Sequence, residues 1–136
     1  MILGIGTDIV EKERFRLTPA KLKKLAERIC TEYELAEFSE LKASEKQVYI
    51  AKKWAAKEAI SKVWGTGIAG DTLFQNMEIR HNTQGKPIVC FYGNLLSSAN
   101  TLGLKCHISL SDTDNTVVAY ALAEYNPQSE DWYNNY

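Results

Sequence analysis

Residues 51–68 read AKKWAAKEAISKVWGTGI. The stretch is dense in alanine and lysine, both good helix formers, and it stops at Gly65-Thr66-Gly67. It predicts a long central helix over Glu45–Trp64. At about 100° per residue, Ala56, Ile60, Val63 and Trp64 share a side that should meet the core. Glu58 and Lys62 point elsewhere, one turn apart, with Ala51 and Ala55 beside them as small neighbours that leave room for a ligand. A carboxylate and an ammonium at this spacing make either a surface ion pair or two parts of a site for a metal and a phosphate. The glycines are equally ambiguous. They cap a helix, and they also let backbone N–H groups approach a phosphate closely. This is not a Walker A loop, whose lysine follows the glycines at a helix N-terminus.

Outward from this helix, Ile2–Val10 reads as a strand, with Gly4 and Gly6 allowing close backbone approach and Asp8 near its end. Thr18-Pro19 starts a helix, with the threonine as N-cap and the proline at the first helical position. Thr31–Leu41 forms another, opened by a capping box of Thr31 and Glu34. The second half is strand-rich. Met77–His81 and Pro87–Tyr92 flank a polar turn, Asn94–Leu102 is a helix stopped by Gly103, and Lys105–Ser111 and Thr116–Glu124 are strands around another turn. The order β-α-α-α-β-β-α-β-β argues for one α+β domain over residues 1–124, with a mostly antiparallel sheet packed against the central helix. The polar, aromatic stretch 125–136 is expected to lack structure.

Composition bounds the function. The chain has 136 residues, 45% apolar and 24% charged, with a net charge of −1. That profile belongs to a globular domain with a real core, not to a disordered or membrane protein. MILGIGTDIV lacks the basic leader of a signal peptide. Cys30, Cys90 and Cys106 are widely spaced and odd in number, which suits a reducing compartment; cytoplasmic location is the expectation. Lys12–Arg28 carries seven basic residues against two acidic ones. It is either a solvated helix face or a dock for an acidic partner. Near-zero net charge, with no aromatic–basic interleaving on a strand, argues against a nucleic-acid-binding module.

Asp8 and Glu58 together could hold a hard divalent cation. Mg²⁺ takes one or two carboxylates, keeps several waters and accepts phosphate oxygens. Lys62 would then neutralise phosphate charge. Spacing alone does not bring Asp8 to Glu58. His107, on the polar side of its strand, is by itself an ordinary hydrogen-bonded surface group, and Trp54 and Trp64 are packing residues.

Four motifs in order then give a resemblance. Gly4-Ile5-Gly6-Thr7-Asp8-Ile9-Val10-Glu11 is followed by Trp54-Ala55-Ala56-Lys57-Glu58-Ala59 with Ser61-Lys62 and Gly65-Thr66-Gly67-Ile68. Gly85-Lys86-Pro87 and His107-Ile108-Ser109-Leu110-Ser111 come after. Together they resemble the holo-acyl-carrier-protein synthase family, small bacterial phosphopantetheinyl transferases, from about Met1 to Glu124. The resemblance implies transfer of 4′-phosphopantetheine from coenzyme A to a serine of apo acyl carrier protein, releasing adenosine 3′,5′-bisphosphate, in fatty acid synthesis. It implies Asp8 and Glu58 as Mg²⁺ ligands and Lys62 as a phosphate contact supporting the leaving group. Gly65, Thr66, Gly67, Gly85, Lys86 and Pro87 would line the nucleotide pocket, and His107 would lie near the adenosine and its 3′-phosphate. The serine's proton would go to Glu58 or to a metal-held water. Arg14, Arg16, Lys21, Lys24 and Arg28 become docking residues for the acidic carrier, and a homotrimer with clefts between subunits is expected. A related transferase for a polyketide or peptide synthase carrier is the alternative. Two positions depart from the family. Lys53 replaces an arginine that could grip phosphate, and Ala36 replaces an acidic residue, so neither is assigned a role.

Overall fold

The computed structural model describes residues 1–125. β1 (Ile2–Glu11) leads through a short 3₁₀ turn (Lys12–Phe15) into α1 (Pro19–Ile29), α2 (Glu32–Glu40) and the 21-residue α3 (Ala43–Val63). A second 3₁₀ turn (Phe74–Asn76) precedes the hairpin of β2 (Met77–His81) and β3 (Pro87–Phe91). α4 (Gly93–Leu102), β4 (Leu104–Asp112) and β5 (Thr116–Tyr125) complete the domain. The expected element order holds. The sheet, however, is two: β1-β5-β4 and the separate β2-β3 hairpin, both antiparallel. The central helix starts at Ala43 and ends at Val63, with Trp64 as its cap. Tyr125 still belongs to β5, its N–H bonded to the Met1 carbonyl at 2.7 Å. The stretch 126–136, expected to be unstructured, lies outside the described residues. Among the described residues no helix is long and apolar enough to cross a membrane.

Local signals set the helix starts. The Thr18 hydroxyl accepts from the Lys21 N–H, with Pro19 in the first turn. Thr31 and Glu34 form a complete capping box. Glu34 then does more than cap. It is fully buried, its Oε1 accepting from Lys57 Nζ at 2.6 Å and its Oε2 from the Ile79 N–H at 2.9 Å. Lys57, also fully buried, donates further to the Ile29 and Phe74 carbonyls at 2.7 and 2.9 Å. One ion pair thus ties α1, α2, α3 and β2 together. A buried pair of this kind is costly to break because either survivor is left charged and unpaired.

The contact that sets the site is between α3 and β1. The inner face of the large sheet is small: Val117, Ala119, Ala121 and Ala123 of β5 are fully buried, and Gly6 and Gly4 face the helix from β1. A Cβ added at Gly6 would lie 2.0 Å from the Ala59 carbonyl oxygen, and one at Gly4 would lie 2.7 Å from that of Val63. Neither distance is possible, so the glycines are required by packing. Ala51 and Ala55 are fully buried. They do not leave room for a ligand; the core fills that side of the helix.

Gly6→Ala should therefore force strand and helix apart, lowering stability by about 1–3 kcal/mol, the usual cost of overpacking. Urea denaturation followed by circular dichroism measures it; a wild-type midpoint would contradict the assigned contact.

Candidate active site

The glycine contact places Asp8, two residues along β1, against the last turns of α3. Lys62 Nζ donates to the Thr7 carbonyl at 2.8 Å and lies 3.3 Å from Asp8 Oδ1. Lys62 pairs with Asp8 and not, as the helical spacing alone allowed, with Glu58. Asp8 Oδ2 is buried and has no hydrogen-bond partner. Glu58 stands near enough that the Asp8 charge acts on it. Burial first, then Asp8, raise the proton affinity of the Glu58 carboxyl, while Lys62 and Arg14 oppose the rise. Two carboxylates from different elements, one with an unmatched buried oxygen, fit a hard cation. Among the described residues no group of three or more His, Cys, Asp and Glu side chains is arranged for a metal. A cation here would complete its shell with water and substrate oxygens, as Mg²⁺ does.

The other candidate residues are placed less simply. Gly65 and Gly67 follow α3 directly, with left-handed φ of 74° and 64°. The Thr66 hydroxyl sits 2.7 Å from that of Thr72, which donates to the Gly67 carbonyl at 2.7 Å, so the loop holds its own shape. Gly85, Lys86 and Pro87 close the β2-β3 hairpin, where Asn82 Oδ1 accepts from the Gln84 and Lys86 N–H groups at 2.9 Å each. Gly85 has φ of 81°, and Lys86 projects into solvent. Lys53 does not face a phosphate site. It is buried under the hairpin and donates to the Ile79 carbonyl at 2.9 Å.

His107 lies across the sheet from the carboxylates. In register, Gly6, Asp8 and Val10 share the inner face with Ala121, Ala119 and Val117. The outer face carries Ile5, Thr7 and Ile9, then Leu122, Tyr120 and Val118, then His107, Ser109 and Ser111. His107 Nε2 meets Glu124 Oε1 at 2.9 Å, and that hydrogen bond holds the Glu124 carboxyl below its usual range. Ile5, Ile9, Val118 and Tyr120 are 58%, 65%, 38% and 43% exposed. β5 is thus apolar on both faces, the signature of a strand buried on both sides, and β1 adds Ile5 and Ile9 to the outer one.

Of the basic residues, Lys12 is a structural tie, its ammonium 2.9 Å from Asp112. Lys21, Lys24 and Arg28 are exposed on α1 at helical spacing. Arg16 pairs with Glu13 at 3.5 Å. Arg14 stacks over Trp54 and Phe15, 5.6 and 5.7 Å from their ring centres, and its charge reaches Glu58. That link, made through an aromatic ledge one turn before Glu58, could not be seen from spacing.

A carboxylate pair with a lysine beside it thus lies at the seam of a helix and a three-stranded antiparallel sheet. Residues 4–121 match the 4′-phosphopantetheinyl transferase superfamily. The holo-[acyl-carrier-protein] synthase of Neisseria meningitidis serogroup A is 45% identical over 127 residues, covering 91% of this chain and 99% of that protein. The crystal structure of a holo-[acyl-carrier-protein] synthase from Neisseria meningitidis matches with TM-score 0.80 at 40% identity, over 91% of this chain and 99% of that one. One from Bacillus anthracis in complex with CoA (3′,5′-ADP) matches with TM-score 0.79 at 36% identity, over 93% and 99%. The chain belongs to the 4′-phosphopantetheinyl transferase superfamily and, within it, to the holo-[acyl-carrier-protein] synthases. Membership removes the reading of a non-catalytic binding module.

Proposed function

We infer that the protein transfers 4′-phosphopantetheine from coenzyme A to a serine of apo acyl carrier protein, giving holo-carrier and adenosine 3′,5′-bisphosphate for fatty acid synthesis. The observation that carries the chemistry is the meeting of Asp8, Glu58 and Lys62 from two elements. We assign Asp8 and Glu58 to Mg²⁺, which when bound would draw charge from the coenzyme's pyrophosphate. Lys62 supports the departing phosphate as a mobile positive charge. The serine hydroxyl loses its proton as it attacks the phosphorus next to the pantetheine. The raised proton affinity of Glu58 suits it to accept that proton. Gly65, Thr66 and Gly67, the Gly85-Lys86-Pro87 turn and His107 are assigned to the nucleotide.

Those nucleotide residues do not share one face of one chain. His107 occupies the outer sheet face among exposed Ile5, Ile9 and Tyr120, while Asp8 faces the helix. A homotrimer that buries the outer face supplies the missing neighbour and makes a cleft in which one subunit's carboxylates meet another's histidine. The carrier docks on Arg14, Arg16, Lys21, Lys24 and Arg28, with Arg14 bridging that surface to Glu58. The setting is cytoplasmic. Cys30, Cys90 and Cys106 are all free thiols, as a reducing compartment keeps them.

Incubation with apo acyl carrier protein, coenzyme A and Mg²⁺ should add the mass of one phosphopantetheine to the carrier. Glu58→Gln should fold normally and lose transfer by two orders of magnitude or more, the scale of a lost acid–base group. No mass gain on any carrier would overturn the reading.

Combined charge reversal, Lys21→Glu with Lys24→Glu, should raise KM for the carrier about tenfold and leave KM for coenzyme A unchanged, with the difference shrinking in high salt. Equal change in both constants would exclude docking on this surface.

Light scattering should give three subunits for the wild type and one for Ile9→Lys combined with Tyr120→Glu. A monomeric wild type with full activity would contradict the shared cleft.

A further inference from the structure

Lys62 has two claims on it. The proposed reaction assigns it to a phosphate, yet the structure seats its ammonium on Asp8 Oδ1 at 3.3 Å and on the Thr7 carbonyl at 2.8 Å. The base of this side chain is fixed: a Cβ added at Gly6 would come within 3.0 Å of the Lys62 Cβ, so helix and strand hold it in place. Its far end is not fixed, because the side chain is 48% exposed whereas Asp8 is 16% exposed. A flexible four-carbon stem can swing its charge from one oxygen to another without moving the backbone.

We propose that Lys62 is a placeholder cation on Asp8, so that divalent-cation binding at Asp8 and Glu58 becomes strong only when a polyphosphate takes the lysine away. The proposal rests on the reading of Asp8 and Glu58 as the cation site. A divalent ion arriving at Asp8 meets the ammonium already beside it, and like charges at that separation repel. A pyrophosphate offers the ammonium a second anion at the moment it offers the metal extra oxygens. Metal and nucleotide then tighten each other's binding, and by linkage the coupling is the same in both directions. Lys62 acts here as a positioning residue for the metal, separate from any contact it makes with the leaving group.

The test reads binding, not turnover. Mn²⁺ binding is followed by the electron paramagnetic resonance of the free ion, first without nucleotide and then with coenzyme A but no carrier. Lys62→Gln and Lys62→Met should each tighten nucleotide-free Mn²⁺ binding about tenfold, a typical size for such coupling. Lys62→Arg, which keeps the charge, should bind as weakly as the wild type. Lys23→Gln, which removes a charge on exposed α1, should change little. Coenzyme A should improve Mn²⁺ binding more in the wild type than in Lys62→Gln. If Lys62→Gln and Lys62→Met bind as weakly as the wild type while Asp8→Asn abolishes binding, the placeholder role is wrong and the cation site stands. If Asp8→Asn binds Mn²⁺ as the wild type does, the cation site itself is wrong and the proposal falls with it.

Discussion

The architecture turns on one close approach, the backbone of β1 lying on the backbone of α3 at Gly6 and Ala59. The added-Cβ distance of 2.0 Å leaves no space for any side chain at position 6. From that contact the rest follows in a few bonds. Asp8, two residues on, must face the helix, and its nearest cation is Lys62, one turn beyond Ala59. Glu58, adjacent to Ala59, is brought near enough for the Asp8 charge to act on it. Opposite Gly6 and Asp8, β5 carries the fully buried Ala121 and Ala119, small residues that suit a helix held close to the sheet.

The same closeness splits the chemistry between two faces. A sheet that packs a helix on one side and presents Ile5, Ile9, Val118 and Tyr120 on the other has used only half of its apolar surface. Asp8 and Lys62 sit on the used half, and His107 on the unused half. Exposed apolar area of this kind marks an interaction surface. The division between carboxylates and histidine is the reason a shared cleft is proposed.

The sequence carried the local elements well, because they are set by local physics. Thr18-Pro19 and Thr31-x-x-Glu34 are capping signals whose bonds close within four residues, and both appear as expected. Tertiary demands were harder to see. Ala51 and Ala55 looked like space for a ligand, but small residues also serve a tightly packed helix, and the core fills them. Nothing in the helical spacing marked Lys53 or Lys57 as buried. Only the fold reveals that Glu34, a capping residue, and the Ile79 backbone turn them inward. The split into two sheets was equally hidden, since local sequence does not say which strands pair: β4 takes β5 as its partner, and β2 and β3 pair with each other. For the candidate site, the residue types and their order were readable. Their distribution over two faces of the sheet required the register.

The central claim is that the strand–helix seam holds a divalent cation between Asp8 and Glu58. A crystal of the protein grown with coenzyme A and Mn²⁺, with diffraction measured for manganese anomalous scattering, addresses it directly. The account predicts one anomalous peak within bonding distance of both carboxylates and of a pyrophosphate oxygen. It also predicts that Lys62 will be displaced from Asp8 onto phosphate. A peak away from Asp8 and Glu58, or bound coenzyme A with Lys62 still on Asp8 and no peak at all, would contradict it.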